Sequence, residues 1–211
     1  TGKHIRLQSL IASPFGLDKL LLRFIQYEIK QCRLGNPARI ILKANGLSDP
    51  IIIAALYRAS QAGVKINLII RGICCLKPGI KGLSENITVI SIIGRFLEHS
   101  RVYYFYHHGK EKVYCSSADL MERNLHYRVE ITFPILDQQL KDRIIDESLL
   151  AYLNDHQESW HLLADGHYQR RTINKKSTKK NKLSAQKYLV KKLTEQTMSF
   201  RAHRSNPYDL S

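Results

Sequence analysis

Apolar residues recur at two different spacings along the first part of the chain, and each spacing predicts a different element. Between residues 15 and 33 they return every three or four positions, as on one face of a helix. Gly35-Asn36-Pro37 ends this pattern, because glycine and proline do not continue a helix. Residues 38–44 then form a short apolar run, which predicts a buried strand.

A second apolar run, residues 64–70, predicts another buried strand after an intervening helix. Asp49 is suited to cap that helix, Pro50 occupies its first position, and the pattern ends near Ala62. A strand, a helix and a strand in this order predict parallel pairing with a right-handed crossover.

The rest of the chain continues to mix the two element types. We expect a loop over 72–86, strands over 87–93, 101–106, 112–117 and 127–133, a helix over 137–154, a short strand near 159–170 and a final helix over 184–196. The pattern predicts an α/β protein with a mixed sheet between helices. We place a folded domain at 1–169 and a tail with a short amphipathic helix at 170–211.

Charge adds a partner class to this picture. The 211 residues carry 33 Lys and Arg against 18 Asp and Glu, a formal net charge of +15. Such an excess predicts an anionic partner, for example a nucleotide, a phosphate polymer, nucleic acid or an acidic membrane. Residues 170–182 hold seven of the basic residues, and we expect that run to be a solvated extension. The four cysteines show no zinc-site spacing and are expected to be reduced thiols.

Two polar residues directly follow predicted parallel strands. Asn45 comes after the first strand and Arg71 after the second. Ligands of open α/β sheets bind beyond the carboxyl ends of strands, so Arg71 is placed to hold a phosphate. A turn at Asn45-Gly46 and a surface arginine are the structural alternatives.

The sequence GRFLEHSR supplies the strongest catalytic candidate, His99. It lies between two predicted strands with Glu98 and Arg101 as neighbours. A histidine can carry or donate a proton, while a guanidinium can hold phosphate oxygens in bidentate pairs. Glu98 or another carboxylate is expected to serve as the partner of His99. The alternative is an ordinary surface histidine.

The sequence SSADLMERN adds Ser117, Asp119, Arg123 and Asn124 at the end of another strand. Hydroxyl, carboxylate and guanidinium groups at this position predict either a phosphate site or a helix cap. Nucleotide-binding loops of the Walker or GxGxxG type are absent from the sequence.

Several separate blocks of the chain resemble one family. HSR followed by SSAD is similar to the second half of the phospholipase D signature. SPFGLDKLL, RGICCLKPG, GRFLEHSR and VYCSSADLMERN together resemble the carboxy-terminal domain of phosphohistidine-type polyphosphate kinases, over about residues 9–165. This resemblance implies a phospholipase D-like fold whose two halves each donate a histidine.

The same resemblance implies the chemistry. ATP, ADP and inorganic polyphosphate would be the ligands, and the terminal phosphate of ATP would pass through a phosphohistidine located in a preceding half. His99 would match the second histidine, which binds ATP phosphate and assists transfer, and Arg71 would match a phosphate-binding arginine. Asn45, Arg101, Ser117, Asp119 and Arg123 complete the expected phosphate site.

The resemblance also sets expectations about cofactor and assembly. Mg²⁺ would accompany ATP, with its ligands outside this chain and no metal site within it. We expect preceding domains of the same protein, a homo-oligomeric full-length enzyme, an inactive isolated chain and a cytoplasmic location, with association at the inner face of the membrane left open. Nucleic acid is not an expected partner. Alternatives are a stand-alone phospholipase D-like phosphodiesterase or nuclease and a non-catalytic polyanion-binding module.

Overall fold

A computed structural model of the protein describes residues 10–171 and 183–204. The strands are β1 (Ile11–Ser13), β2 (Arg39–Ala44), β3 (Lys65–Ile70), β4 (Ile87–Ile92), β5 (Arg101–Phe105), β6 (Lys112–Ser116), β7 (Glu130–Pro134), β8 (Ser159–Leu162) and β9 (Tyr168–Arg170). The α-helices are α1 (Leu17–Arg33), α2 (Pro50–Gln61), α3 (Gln138–Ile144), α4 (Ala151–Leu153) and α5 (Ala185–Arg204). A π-helical segment (Ile145–Leu150) joins α3 to α4.

The described strands form one mixed sheet in the order β1-β7-β6-β5-β2-β3-β4-β8-β9. Strands β2, β3 and β4 are parallel, and the strands on either side pair antiparallel. The predicted α/β class is confirmed. Because β5 runs antiparallel to β2, the first residue of β5 lies at the same edge as the carboxyl ends of β2 and β3.

The predicted β2-α2-β3 unit is confirmed in detail. Asp49 caps α2 by accepting a hydrogen bond from the Ile52 backbone N–H at 2.8 Å, and Pro50 is the first helical residue. Strands β2 and β3 pair in parallel from Arg39↔Lys65 to Ala44↔Ile70. The strands expected over 101–106 and 112–117 are β5 and β6, which pair as an antiparallel hairpin.

Four elements differ from the sequence expectation. Strand β1 was not predicted, because three residues carry no usable periodicity. Strand β7 begins at Glu130 rather than near 127, because Arg123–Tyr127 forms a π-helical turn. The strand expected near 159–170 is two strands joined by a turn at Gly166. The last helix extends to Arg204, beyond the predicted 196.

Helices cover both faces of the sheet, so the described residues form two hydrophobic cores. Alternate residues of each central strand point to opposite cores. In β2, Ile40 and Leu42 face α1 and α2, whereas Ile41 faces the α3–α4 side. Lys43, two residues after Ile41, lies on the same α3–α4 side and is only 2% exposed. A buried lysine at a core position requires polar partners.

The start of α5 and the residue before it pack on the folded domain. Ser184, Ala185 and Gln186 are all buried. The Asp155 carboxylate accepts a hydrogen bond from the Ala185 backbone N–H at 2.7 Å. The domain boundary expected at 169/170 falls inside β9, and most of the basic run at 170–182 lies outside the described residues. Among the helices that the structure describes, none is long and apolar enough to cross a membrane.

Candidate phosphate-binding site

Four loops bring their polar residues to the edge of the sheet where β2 and β3 end. Asn45 follows β2, Arg71 follows β3, Arg101 begins β5 and Asp119 lies in the loop after β6. The register of Arg101 opposite Ser116 places the β6 loop beside the start of β5. The sheet topology thus gathers residues that are far apart in sequence.

Asp119 is the centre of this cluster. Its carboxylate accepts hydrogen bonds from the backbone N–H of Asn45 at 2.7 Å and from the Asn45 amide at 3.1 Å. Arg101 binds both of its oxygens, through Nε at 3.1 Å and Nη2 at 2.9 Å. Asp119 therefore fixes the positions of β2, β5 and its own loop relative to one another.

The charge of Asp119 is stabilised by these donors. Burial opposes ionisation of Asp119, but the hydrogen bonds from Arg101 and Asn45 outweigh burial, and the pKa of Asp119 lies below its ordinary value. The helix-cap alternative for Asp119 is wrong, because the following π-helical turn begins after Glu122 and has no side-chain cap.

Arg101 connects Asp119 to His99. Its Nη1 lies 3.3 Å from His99 Nδ1 and 3.5 Å from His99 Nε2, and it donates to the His99 carbonyl at 3.1 Å. Nε and Nη2 are already engaged by Asp119. Arg101 is thus placed to position His99, because its remaining nitrogen, Nη1, is directed at the His99 ring and carbonyl. The His99 residue itself is exposed.

Arg71 joins the cluster from the opposite side. Its Nε donates to Asn45 Oδ1 at 2.5 Å. The side chains of His99, Arg101, Asp119, Asn45 and Arg71 form one continuous series of polar contacts. The structure brings together five of the seven predicted site residues in this way.

A cavity of about 530 Å³ opens beside this series. His99, Arg101, Ser117, Asp119 and Arg123 line it, all of them predicted site residues. Arg71 and Asn45 are not in its lining and lie behind Asp119. Arg123 is exposed, and its guanidinium has no side-chain hydrogen bond or ion pair within the described residues.

Three residues of the cavity wall, Met121, Arg128 and Glu130, were missed from the sequence. Arg128 pairs with Glu130 at 3.3 Å, and Glu130 also accepts hydrogen bonds from Ser117 at 2.5 Å and from Asn124 at 2.8 Å. Arg128 is not a site candidate from the sequence because it lies within the strand predicted over 127–133, whereas the candidates lie at or beyond the ends of predicted strands. Arginines in the wall give the cavity the charge that a phosphate chain requires.

The loop that carries His99 is supported from below by a buried cluster. Glu98 Oε2 lies 3.0 Å from Lys43 Nζ, and Glu98 Oε1 accepts a hydrogen bond from Gln186 at 2.7 Å. The Lys43 ammonium also lies 3.3 Å from the centre of the Tyr152 ring. Burial lowers the pKa of Lys43, while Glu98 opposes that shift.

The expected pairing of Glu98 with His99 is wrong. Both carboxylate oxygens of Glu98 are engaged by core partners, Lys43 and Gln186. Gln186 further exchanges two hydrogen bonds with the Phe96 backbone, at 2.9 and 2.7 Å. No sequence pattern connects Lys43 or Gln186 to this loop, because their contact arises only from the fold.

The residues present do not fit a Mg²⁺ site. The carboxylates of Asp119 and Glu130 are bound by Arg101, Asn45, Arg128, Ser117 and Asn124. Within residues 10–171 and 183–204, no group of three His, Cys, Asp or Glu side chains is placed to hold a metal ion. An excess of guanidinium groups favours an anion at this position over a cation.

Comparisons with known proteins agree on one family. The family model for "Polyphosphate kinase C-terminal domain 2" matches residues 10–186. Polyphosphate kinase from Burkholderia lata is 55% identical over 174 residues, which cover 82% of this chain and 25% of the relative. The enzyme from Paraburkholderia phytofirmans is 54% identical over 176 residues, or 83% of this chain and 26% of the relative. The chain spans about a quarter of the length of these curated relatives.

A solved structure gives the same result. The crystal structure of polyphosphate kinase from Porphyromonas gingivalis superposes with a TM-score of 0.87 at 35% identity, over 94% of this chain and 30% of that one. Nuc, a phospholipase D family member from Salmonella typhimurium, is a distant match at 17% identity and a TM-score of 0.47, over 65% of this chain and 88% of that one. The chain belongs to the polyphosphate kinase family, in which it corresponds to the second C-terminal domain.

Proposed function

We propose that this chain supplies the phosphate-binding half of a polyphosphate kinase active site. The complete enzyme would transfer the terminal phosphate of ATP to inorganic polyphosphate, and back, through a phosphohistidine in a preceding half. The observation that carries this proposal is the continuous series His99–Arg101–Asp119–Asn45–Arg71 beside a cavity walled by arginines.

Each residue has a distinct role in this proposal. Arg123 and Arg128 face the cavity and bind the oxygens of the phosphate chain, and Arg71 stabilises the same charge from behind Asn45. Clustered guanidinium groups offset the repulsion between two polyanions and hold them for in-line transfer. His99 is exposed at the cavity, where its imidazole binds a phosphate oxygen and donates a proton to the departing oxygen as the phosphoryl group leaves.

Arg101 is a positioning residue rather than the main phosphate ligand. Its bidentate bond to Asp119 leaves one nitrogen, which lies against the ring of His99. The Asp119–Arg101 pair therefore sets where the imidazole stands. Because buried charge-assisted bonds are directional, a small movement of Arg101 would displace His99 from the reacting phosphate.

We propose that a preceding half closes the site over the His99 loop. His99, Phe96 and Leu97 are exposed, with Phe96 and Leu97 at 49% and 73%. We therefore propose that the isolated chain binds phosphates without transferring them. ATP as the phosphate donor supports a cytoplasmic enzyme. Mg²⁺ bound with ATP and a homo-oligomeric assembly stay predictions from the family resemblance.

Tripolyphosphate titration of the 211-residue chain tests the proposal. Arg123→Gln should weaken binding roughly tenfold or more, since charge-assisted hydrogen bonds are lost. The control is Arg58→Gln, which removes the same charge from an exposed position on α2. Equal affinities in the two variants would favour a non-specific polyanion-binding module. Incubation with γ-labelled ATP should leave the chain unlabelled, and strong labelling would contradict the half-site assignment.

A further inference from the structure

A second basic cleft lies at the opposite edge of the sheet from His99. It has a volume of about 760 Å³ and lies between α1 and the turn that joins β5 to β6. Arg23, Lys30 and Arg33 line it from α1, His107 lines it from the turn, and Lys112 lines it from the start of β6. Its wall contains basic, aromatic and neutral residues, and no acidic side chain is among them.

The cations of this cleft are not neutralised by the part of the chain that the structure describes. None of Arg23, Lys30, Arg33 and Lys112 forms an ion pair with a carboxylate within the described residues. Burial, Lys112, Lys110 and Arg23 together lower the pKa of His107, so the positive charges converge on this point. An uncompensated group of cations in a concave surface attracts an anion.

His107 is held in the cleft wall in a strained conformation. Its φ is 49°, and that of His108 is 55°, in the left-handed region that residues other than glycine rarely adopt. The buried Glu28 carboxylate accepts a hydrogen bond from the His107 backbone N–H at 2.6 Å, and the imidazole packs on Tyr27 with ring centres 3.9 Å apart. His107 Nδ1 is buried without a partner among the described residues.

We propose that this cleft binds a segment of inorganic polyphosphate at a second site, remote from the site of phosphoryl transfer. Arg23, Lys30 and Arg33 share one helix face and extend over about 15 Å, which suits a linear, repeatedly charged polymer better than a single phosphate group. The five residues of β5 separate the cleft from Arg101 by roughly 17 Å. This inference rests on the proposed function, which supplies polyphosphate as the ligand.

A triple variant tests the cleft in the 211-residue chain. Arg23→Gln, Lys30→Gln and Arg33→Gln remove three exposed charges with a side chain that favours helix. The matched control is Arg58→Gln, Lys77→Gln and Lys81→Gln, which removes three exposed charges elsewhere. Both triples are combined with Arg123→Gln, so that binding at the His99 cavity is weakened equally. Long-chain polyphosphate and ATP are titrated at several salt concentrations, and thermal unfolding checks the fold.

We expect the cleft triple to lose long-chain polyphosphate affinity by roughly tenfold relative to the control triple, with a slope of log affinity against log salt that is smaller by about two. Equal losses in the two triples would overturn the proposal, because they would reflect net charge alone. A loss of ATP affinity without a loss of polyphosphate affinity would also overturn it. If Arg123→Gln binds tripolyphosphate as tightly as Arg58→Gln does, the proposed function is contradicted. The comparison of the two triples tests the cleft independently of that result.

Discussion

Gln186, in the first turn of α5, donates a hydrogen bond to Glu98 at 2.7 Å. Glu98 directly precedes His99, the candidate catalytic residue of the phosphate site. The contact links the carboxy-terminal helix to the loop that carries His99. It is reinforced by the two bonds between Gln186 and the Phe96 backbone. A segment that the sequence assigned to a tail thus helps to position the candidate catalytic residue.

Gln186→Glu should loosen this loop. The new carboxylate can still accept from the Phe96 backbone N–H, but it cannot donate to Glu98 and would repel it. We expect the free energy of unfolding to fall by about 1–3 kcal/mol, since buried polar groups are left unpaired. Faster backbone hydrogen exchange at residues 94–100 would show that the loss is local. The control is Gln139→Glu, at an exposed position in α3. Unchanged hydrogen exchange at residues 94–100 in Gln186→Glu would contradict the inference that Gln186 holds the His99 loop in place.

Arg101→Lys should separate a positioning role from a binding role. Lysine cannot reproduce the bidentate bond to Asp119 or the contact with His99, because it is a point charge. In the full-length enzyme we expect kcat to fall on the order of 10²-fold while KM for ATP changes little. Arg95→Lys, on the same loop and exposed, should be near normal. A raised KM with unchanged kcat would make Arg101 a direct phosphate ligand.

Asp119→Asn should alter the response of the chain to acid. Because the pKa of Asp119 is lowered in the folded state, its contribution to stability is fully present above the unfolded value of about 3.9 and is lost as the pH falls through the lower folded value. At pH 7 the substitution should cost about 3 kcal/mol, since it leaves Arg101 without its charge partner. Urea unfolding between pH 7 and 3 should show that the free energy of unfolding falls less steeply with acid in Asp119→Asn than in the wild type.

The control for that measurement is Asp142→Asn, which removes an exposed carboxylate from α3. Its acid-side decline should match that of wild type. Parallel declines in wild type and Asp119→Asn would mean that the folded state does not stabilise the Asp119 charge.

The central elements and most site residues were predictable, because their signals are local. The helix pattern of α1, the Asp49 cap of α2 and the apolar runs of β2 and β3 are each complete within one segment. The positions of Asn45 and Arg71 follow from a general rule about where parallel strands end. His99, Arg101 and Asp119 came from short motifs and from the family resemblance.

The remaining features depend on contacts between distant segments. Strand β1 exists because β7 offers it a partner, and three residues alone carry no signal. Lys43 appears as a polar residue in a strand and gives no indication that it pairs with Glu98 and lies against the Tyr152 ring. Arg128 was assigned to a strand because the preceding π-helical turn has no distinctive sequence pattern.

The most direct test of the half-site is the rate of a single phosphoryl transfer from ATP to polyphosphate in the full-length enzyme carrying His99→Ala. We expect a fall of at least about 10²-fold with normal folding, since an exposed histidine leaves no cavity in the core. His167→Ala, which changes a histidine that is 84% exposed on the β8–β9 turn, should retain the wild-type rate. Near-normal transfer by the His99 variant would contradict a catalytic role for this site and favour simple polyanion binding.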